Sequence, residues 1–237
     1  GDGDNDVVGV QEGDTHLAVF RAPDWTRSTL LSFSGTYRYP RADDFKLADV
    51  NGDGAVDVVT RLGAGPADDG LGIAVWQENL GNGSFTQRLI GNSLSYVKDI
   101  VVVDLDRDGR LDVVMRMDSQ TQLWLQESNG TWTEVLLSHP SHEGMEAGDL
   151  DLDGDPDLIL NGLWFATPNT PAEARVAANY IQRVIDEQWF NQGDGDGFPN
   201  ACKVVVGDFD GDGTNDVAFS HSERAGYDVA WYRSAGL

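Results

Sequence analysis

Cysteine occurs once in the 237 residues, at Cys202. An intrachain disulfide is therefore excluded, and a zinc site built on cysteines has no basis. Positive charge is also scarce. Sixteen Lys and Arg stand against 40 Asp and Glu, a formal net charge of −24 with pI ≈ 4.1. A field of that sign repels nucleic acid and anionic membrane, so neither is an expected partner. No apolar run approaches the roughly 20 residues of a membrane-spanning helix, and no signal peptide is visible. The chain opens on Gly1 rather than Met, which reads as a processed chain or one cut from something longer. No Ser–His–Asp order, zinc signature or phosphate-cradling glycine loop stands out, and the "GDGDG" run is acidic and would repel phosphate. What the chain does have is 40% apolar residues, 9% aromatics and seven Trp. Acidic disordered chains lack such residues, so this one can bury a core.

The aspartates are not scattered. "DLDLDGDPD", Asp149 to Asp157, holds five of them in nine residues with no base among them. Like charges that close repel unless a cation joins them or the segment stays unfolded. The stretch recurs as "DVNGDGAVDVV" from Asp49, "DLDRDGRLDVV" from Asp104, "DLDLDGDPDLI" from Asp149 and "DFDGDGTNDVA" from Asp208, with starts 55, 45 and 59 residues apart. The opening "GDGDNDVV" fits the tail of a fifth copy. Internal repetition at this period points to an array of similar units.

The shared pattern is D-x-[DN]-x-D-G-x-x-D followed by a hydrophobic pair. Oxygen donors at positions 1, 3 and 5 converge if the loop curls, and glycine at 6 permits the bend. A backbone carbonyl at 7 and a carboxylate at 9 can complete the shell. This is EF-hand ligand logic with the last acid moved from 12 to 9. Hard oxygens in a flexible loop favour Ca²⁺ over Mg²⁺.

The flanks are not EF-hand helices. "DFKLADV", "DIVVVDL", "GMEAGDL" and "KVVVGDF" precede the loops, and "DVVTRL", "DVVMRM", "DLILNG" and "DVAFSH" follow them. These short Val- and Ile-rich segments read as strands joined by the loop. A third strand carries an aromatic in "AVFRAP", "AVWQEN", "QLWLQES", "GLWFATP" and "VAWYRS". A fourth is expected in "STLLSF", "FTQRLIG", "WTEVLLS" and "YIQRVID". Four strands per repeat is the arithmetic of a β-propeller blade.

On the four D-x-[DN]-x-D-G-x-x-D loops, and on tails such as "GIAVWQENLGNGSF", the chain resembles the FG-GAP/VCBS repeat proteins. These are calcium-loop β-propellers that include the integrin α-subunit head and several fungal and bacterial lectins. The resemblance implies an all-β propeller of four-stranded blades, with the loop between the first and second strands. It implies metal ligands at Asp49, Asn51, Asp53 and Asp57; Asp104, Asp106, Asp108 and Asp112; Asp149, Asp151, Asp153 and Asp157; and Asp208, Asp210, Asp212 and Asp216. Carbonyls would come from Ala55, Arg110, Asp155 and Thr214. The fragmentary copy at 1–6 offers only Asp2 and Asp6. The chain holds about five blades' worth of residues in one domain, 1–237. Seven blades, common in the family, need roughly 350 residues at this spacing, so a larger ring is the leading expectation and five-bladed closure the lesser one. About four Ca²⁺ are expected, with a structural role; their charge of +8 leaves the protein strongly acidic.

The starts of the innermost strands gather at the end opposite the loops. Aligned on the first loop Asp, they bring Asp43 and Asp44, Lys98 and Asp99, His142 and Glu143, and Cys202 and Lys203 to one level. Asp43, Asp44, Lys98, Asp99 and Lys203 are candidate ligand-binding residues. His142 could act as general base or metal ligand with Glu143 as its acid partner, and His139 lies nearby in sequence. A solvated mouth, or a His bonded to a neighbouring blade, is the competing reading. The strand-three aromatics Phe20, Trp76, Trp124, Trp164 and Trp231 read as packing between blades. Trp25, Trp132, Tyr180 and Trp189 fall outside that register and are candidate exposed platforms. The stretch 168–201 is the least repetitive, with one short helical turn expected in "NTPAEARVAANY" and a second Gly/Asp loop in "NQGDGDGFPN".

The expected function is recognition of carbohydrate or polysaccharide by an extracellular or periplasmic calcium-loaded module, since millimolar calcium outside cells suits weak modular sites. A propeller lyase or dehydratase acting on a sugar through His142 and Glu143, and a protein-adhesion module, are the alternatives.

Overall fold

The computed structural model describes residues 4–10, 14–64, 72–93, 97–117, 119–140, 143–190, 202–221 and 229–234, apart from the side chains of residues 41–44 and 93. It is all-β. Five separate antiparallel sheets follow one another along the chain, each a meander in which sequence neighbours pair. The chain divides into two compact units, residues 1–97 and 98–237.

The first unit holds a three-stranded sheet, β1 (Val7–Gly9), β2 (His16–Arg21) and β3 (Thr26–Ser32), and a four-stranded sheet, β4 (Tyr39–Ala48), β5 (Asp57–Gly63), β6 (Gly72–Asn79) and β7 (Phe85–Ser93). Every residue of β5 is buried, as expected of a Val-rich strand covered on both faces. Leu17, Leu31, Phe33, Val58, Leu62 and Val75 form the core of this unit. The turn between β6 and β7 closes through Leu80 N donating to Ser84 O at 3.0 Å.

The second unit holds two four-stranded sheets and one of three strands. The first is β8 (Asp99–Val103), β9 (Asp112–Arg116), β10 (Gln120–Gln126) and β11 (Trp132–Ser138). The second is β12 (Met145–Gly148), β13 (Asp157–Leu160), β14 (Leu163–Ala166) and β15 (Ile181–Val184). The third is β16 (Cys202–Gly207), β17 (Asp216–His221) and β18 (Ala230–Tyr232). Each pair of residues in β13 and β14 points to opposite faces, because side chains alternate along a strand. Leu158, Leu160, Leu163 and Phe165 face the β8–β11 sheet, packing with Val101, Val114, Leu123 and Val135. Ile159, Trp164 and Ala166 face the other way, packing with Cys202, Val204, Val217 and Phe219 of β16 and β17. The middle sheet is thus apolar on both sides, and a one-residue slip in its register would exchange its two cores. The first strands, β8, β12 and β16, lie side by side in that order.

Between β14 and β15 the chain leaves the meander. Thr170 caps the single helical turn α1 (Pro171–Ala174): its hydroxyl donates to Glu173 Oε2 at 2.7 Å while Glu173 N donates back to it at 3.4 Å. This is a threonine N-cap with proline at the first helical position. It supplies the helical turn expected from the sequence. The "NQGDGDGFPN" loop lies outside the described residues.

Candidate functional site

The four repeated loops fold alike. In three of them the first Asp wraps the turn with both oxygens, whereas in the third loop only Asp149 Oδ2 does so, accepting Gly154 N at 3.0 Å. Asp104 accepts Asp108 N and Gly109 N, both at 3.0 Å, and Asp208 accepts Asp212 N at 3.1 Å and Gly213 N at 3.0 Å. Asp49 does the same for Asp53 N and Gly54 N, at 3.0 and 2.8 Å. The turn needs two residues in the left-handed region, at positions 4 and 6. Glycine fills both in the first and fourth loops. In the second and third, position 4 is Arg107 (φ 57°) and Leu152 (φ 64°).

The last Asp of each loop is completely buried and bridges two strands. One oxygen accepts the N–H of the second loop residue: Val50 to Asp57 at 3.0 Å, Leu105 to Asp112 at 2.9 Å, Leu150 to Asp157 at 2.9 Å and Phe209 to Asp216 at 3.2 Å. The other accepts an N–H at the end of the third strand: Asn79 to Asp57 and Gln126 to Asp112 at 2.8 Å, Thr167 to Asp157 at 3.1 Å and Ser234 to Asp216 at 2.9 Å. Burial pushes the carboxyls of Asp112 and Asp157 up to about 7 and raises that of Asp57. These residues are pins of the fold, and each oxygen keeps a lone pair that a cation can use.

Among the described residues, three aspartate clusters bring ligand oxygens within 4.8 Å of one another: Asp104, Asp106 and Asp108; Asp149, Asp151 and Asp157; and Asp208, Asp210 and Asp216. Each could hold a metal ion. The fit is best in the third loop, where Asp149 Oδ1 and Asp151 Oδ1 are buried without a hydrogen-bond partner, as are both oxygens of Asp155, which is 1% exposed. Burial, and then the adjacent Asp153 carboxylate, raise the Asp155 carboxyl. Oxygens buried against one another without donors match the demand of a hard cation.

The other two all-aspartate loops carry a guanidinium. Arg175 Nη1 sits 2.7 Å from Asp106 Oδ2, and its Nε donates to Glu127 Oε1 at 2.9 Å. These contacts raise Arg175 and hold Glu127 below the usual carboxylate range. Arg110 pairs with Asp108. Arg233 lies 2.7 Å from Asp210 and 2.8 Å from Asp212. In the first loop Asn51 Nδ2 donates to Asp53 at 3.0 Å and to Glu78 at 3.3 Å.

At the opposite end of the second unit, the sequence-selected residues engage one another. Lys98 Nζ pairs with Glu143 Oε1 at 2.7 Å. Asp99 Oδ2 accepts Gly144 N at 2.8 Å, and burial raises its carboxyl although Arg116 and Lys203 pull the other way. Arg116 is fully buried, donating to Gly144 O at 2.7 Å and to Asn161 Oδ1 at 3.0 Å. Sequence reasoning passed over this residue, although Arg61 and Arg116 stand four residues past the last loop Asp in the first two copies. His139 is buried between Thr121 Oγ1 at 2.9 Å and Pro140 O at 2.7 Å. Burial pushes the Cys202 thiol up to about 12. His142 and the side chains of Asp43 and Asp44 lie outside the described residues.

Of the aromatics, Trp76, Trp124 and Trp164 are buried, as the packing reading requires, whereas Trp231 is 52% exposed. Two expected platforms are corrected. Tyr180 belongs to the core between the β8–β11 and β12–β15 sheets. Trp189 is buried against Phe219 and His221, its Nε1 donating to Tyr232 Oη at 2.8 Å. The excursion that carries both residues is folded back onto apolar surface, which an aromatic stabilises best by burial. Trp25 is exposed and Trp132 half-buried.

A family model for the FG-GAP-like repeat matches residues 49–115 and 104–160. Among curated proteins no sequence match is significant. A chain in the structure of the Photorhabdus luminescens Tc holotoxin pore aligns with 98% of this chain and 14% of its own length, at 12% identity and a TM-score of 0.37. This chain therefore spans a small part of that one. The first three aspartate loops, each joining the first two strands of a small meander, coincide with the matched segments, and residues 49–160 carry FG-GAP-like repeats.

Proposed function

We propose that the protein is an extracellular recognition module of the calcium-stabilised β-propeller type, with carbohydrate as its ligand class. One observation carries the metal part of this reading. Three loops at equivalent places in successive sheets each converge three aspartate carboxylates on one point, and in the third Asp149 Oδ1 and Asp151 Oδ1 are buried without a hydrogen-bond partner. The ligands named from the repeat are the residues that would hold the ions, and calcium would supply neutralisation and a tie between consecutive strands. The sheets are the blades, and the side-by-side first strands are their inner edges.

The recognition part rests on the family and on architecture. Repeat scaffolds expose loops and insertions whose sequence varies while the core holds, and the 168–190 excursion is such an insertion. For the lyase alternative, Glu143 is already engaged by Lys98, so it would have to exchange partners before acting on a substrate.

Thermal unfolding in calcium and in EGTA tests the metal. An ion that binds only the folded state at a hundredfold excess over its dissociation constant stabilises by about 2.7 kcal/mol. For a chain of this size that is a rise of roughly 5–10 °C per ion. Coincident melting curves would refute the reading. A glycan array probed with and without calcium tests the ligand class; a blank array with a calcium-dependent protein partner would move the assignment to adhesion.

A further inference from the structure

The third loop differs from the other all-aspartate loops in two ways. No base among the described residues lies within ion-pair distance of Asp149, Asp151 or Asp153, whereas guanidinium groups already sit on the second and fourth loops. Of this loop, Arg107 reaches the Asp155 carboxylate, at 3.5 Å, and Asp153 O, at 3.4 Å, and it also donates to Asn169 O at 3.3 Å. The third loop also opens into a cavity of about 380 Å³, walled by Asp151 and Asp153 on one side and by the 166–183 excursion on the other.

We propose that the cation of this third loop binds ligand as well as stabilising the fold, and that the cavity takes a neutral saccharide whose vicinal hydroxyls complete the ion's shell. The proposal rests on the calcium reading above. The orphaned oxygens of Asp149 and Asp151, with the buried Asp155 carboxylate beside them, draw the ion to this loop. Calcium takes six to eight oxygens and accepts neutral ones readily, so hydroxyls arriving from the cavity are suitable donors.

Charge selects the ligand class. The cavity is lined by Asp151, Asp153 and Glu173 against the single base Arg183. A divalent ion offsets two negative charges, but the same ion's ligands Asp149 and Asp157 add two more, so the site stays net negative on a protein of charge −24. An acidic sugar gains nothing there and is repelled by the rest of the surface. Thr167 and Asn179 give the far wall hydroxyl and amide groups, while Ile181, 57% exposed, offers an apolar edge to sugar C–H groups.

The test uses the full chain, isothermal titration calorimetry, and methyl α-D-mannoside and methyl β-D-galactoside as probes bearing trans and cis diols. At least one sugar should bind in calcium and not in EGTA. By linkage, saturating that sugar should tighten one calcium site by the same factor by which calcium tightens the sugar. Asp151→Asn should weaken both by roughly tenfold or more. Ala178→Trp fills the cavity from the excursion side and changes no loop ligand, and should abolish sugar binding while calcium still binds. If calcium binds but neither sugar does, or if sugar binding persists in EGTA or in the Ala178→Trp variant, this proposal falls and the calcium reading stands. If no calcium binds, the calcium reading falls first.

Discussion

Asp112 offers a way to separate what the last loop aspartate does for the fold from what it does for an ion. Its carboxylate is wholly buried and accepts Leu105 N at 2.9 Å and Gln126 N at 2.8 Å. Asp112→Ala leaves both N–H groups without an acceptor, at about 1–3 kcal/mol each. Some of that is offset, because burying the charge is itself costly, as the rise of its carboxyl to about 7 shows. A net loss of about 3 kcal/mol follows, or roughly 6–12 °C in melting temperature for a chain of this length. Asp112→Asn keeps one acceptor and turns an amide N–H₂ toward the other donor, so its loss should be somewhat smaller. Circular dichroism melts in EGTA are the assay, because chelation removes any contribution through metal. An Asp112→Ala variant that melts with the wild type in EGTA, and falls behind only in calcium, would show the pin to be wrong and the residue to be a ligand alone.

Other outcomes follow from single contacts. Gly144→Ala should cost several kcal/mol, since its Cβ would stand 2.6 Å from Cys202 O at a φ of +101°; a urea midpoint within error of wild type would contradict this packing. Leu152→Gly should stabilise by about 1 kcal/mol, because the exposed Leu152 holds a left-handed conformation at φ 64°; an unchanged or lower melting temperature would mean that Leu152 packs where none is seen. Asp99 holds its proton more tightly folded than unfolded, because burial outweighs Arg116 and Lys203 while Glu143 adds to the rise. Its contribution is therefore full below the ordinary carboxylate range and is lost as pH climbs through the raised folded value. Denaturation midpoints of wild type and Asp99→Asn between about pH 4 and 7 should shift in favour of Asn as pH rises, whatever their offset; parallel profiles would refute it.

Strand order was legible because the loop motif sets a register. Once Asp49, Asp104, Asp149 and Asp208 are aligned, a strand must precede and another follow each loop, and the aromatic of the third strand falls into line. Every one of those strands is found. The pairing partners of charged side chains were not legible, since they depend on which sheet lies beside which. Nothing near Arg175 in sequence says that it meets Asp106 and Glu127, 69 and 48 residues away. Tyr180 and Trp189 were misplaced for a related reason: a non-repeating segment has no aligned copy to reveal which of its aromatics turn inward. The double duty of the last loop aspartate was hidden because a ligand and a strand pin call for the same residue at the same spacing.

The seam between the β8–β11 and β12–β15 sheets is fastened at both rims. At one rim Arg175 reaches from the excursion to Asp106 and Glu127; at the other, Arg116 and Asp99 grip the two backbone groups of Gly144. A greasy interface held at a single rim can peel, one row of side chains at a time. Held at both, it must shear as a whole, so a pulling force or a transient opening meets its resistance all at once. Amide protons of Leu123, Val114 and Leu158, midway between the two clasps, should be among the slowest to trade with heavy water.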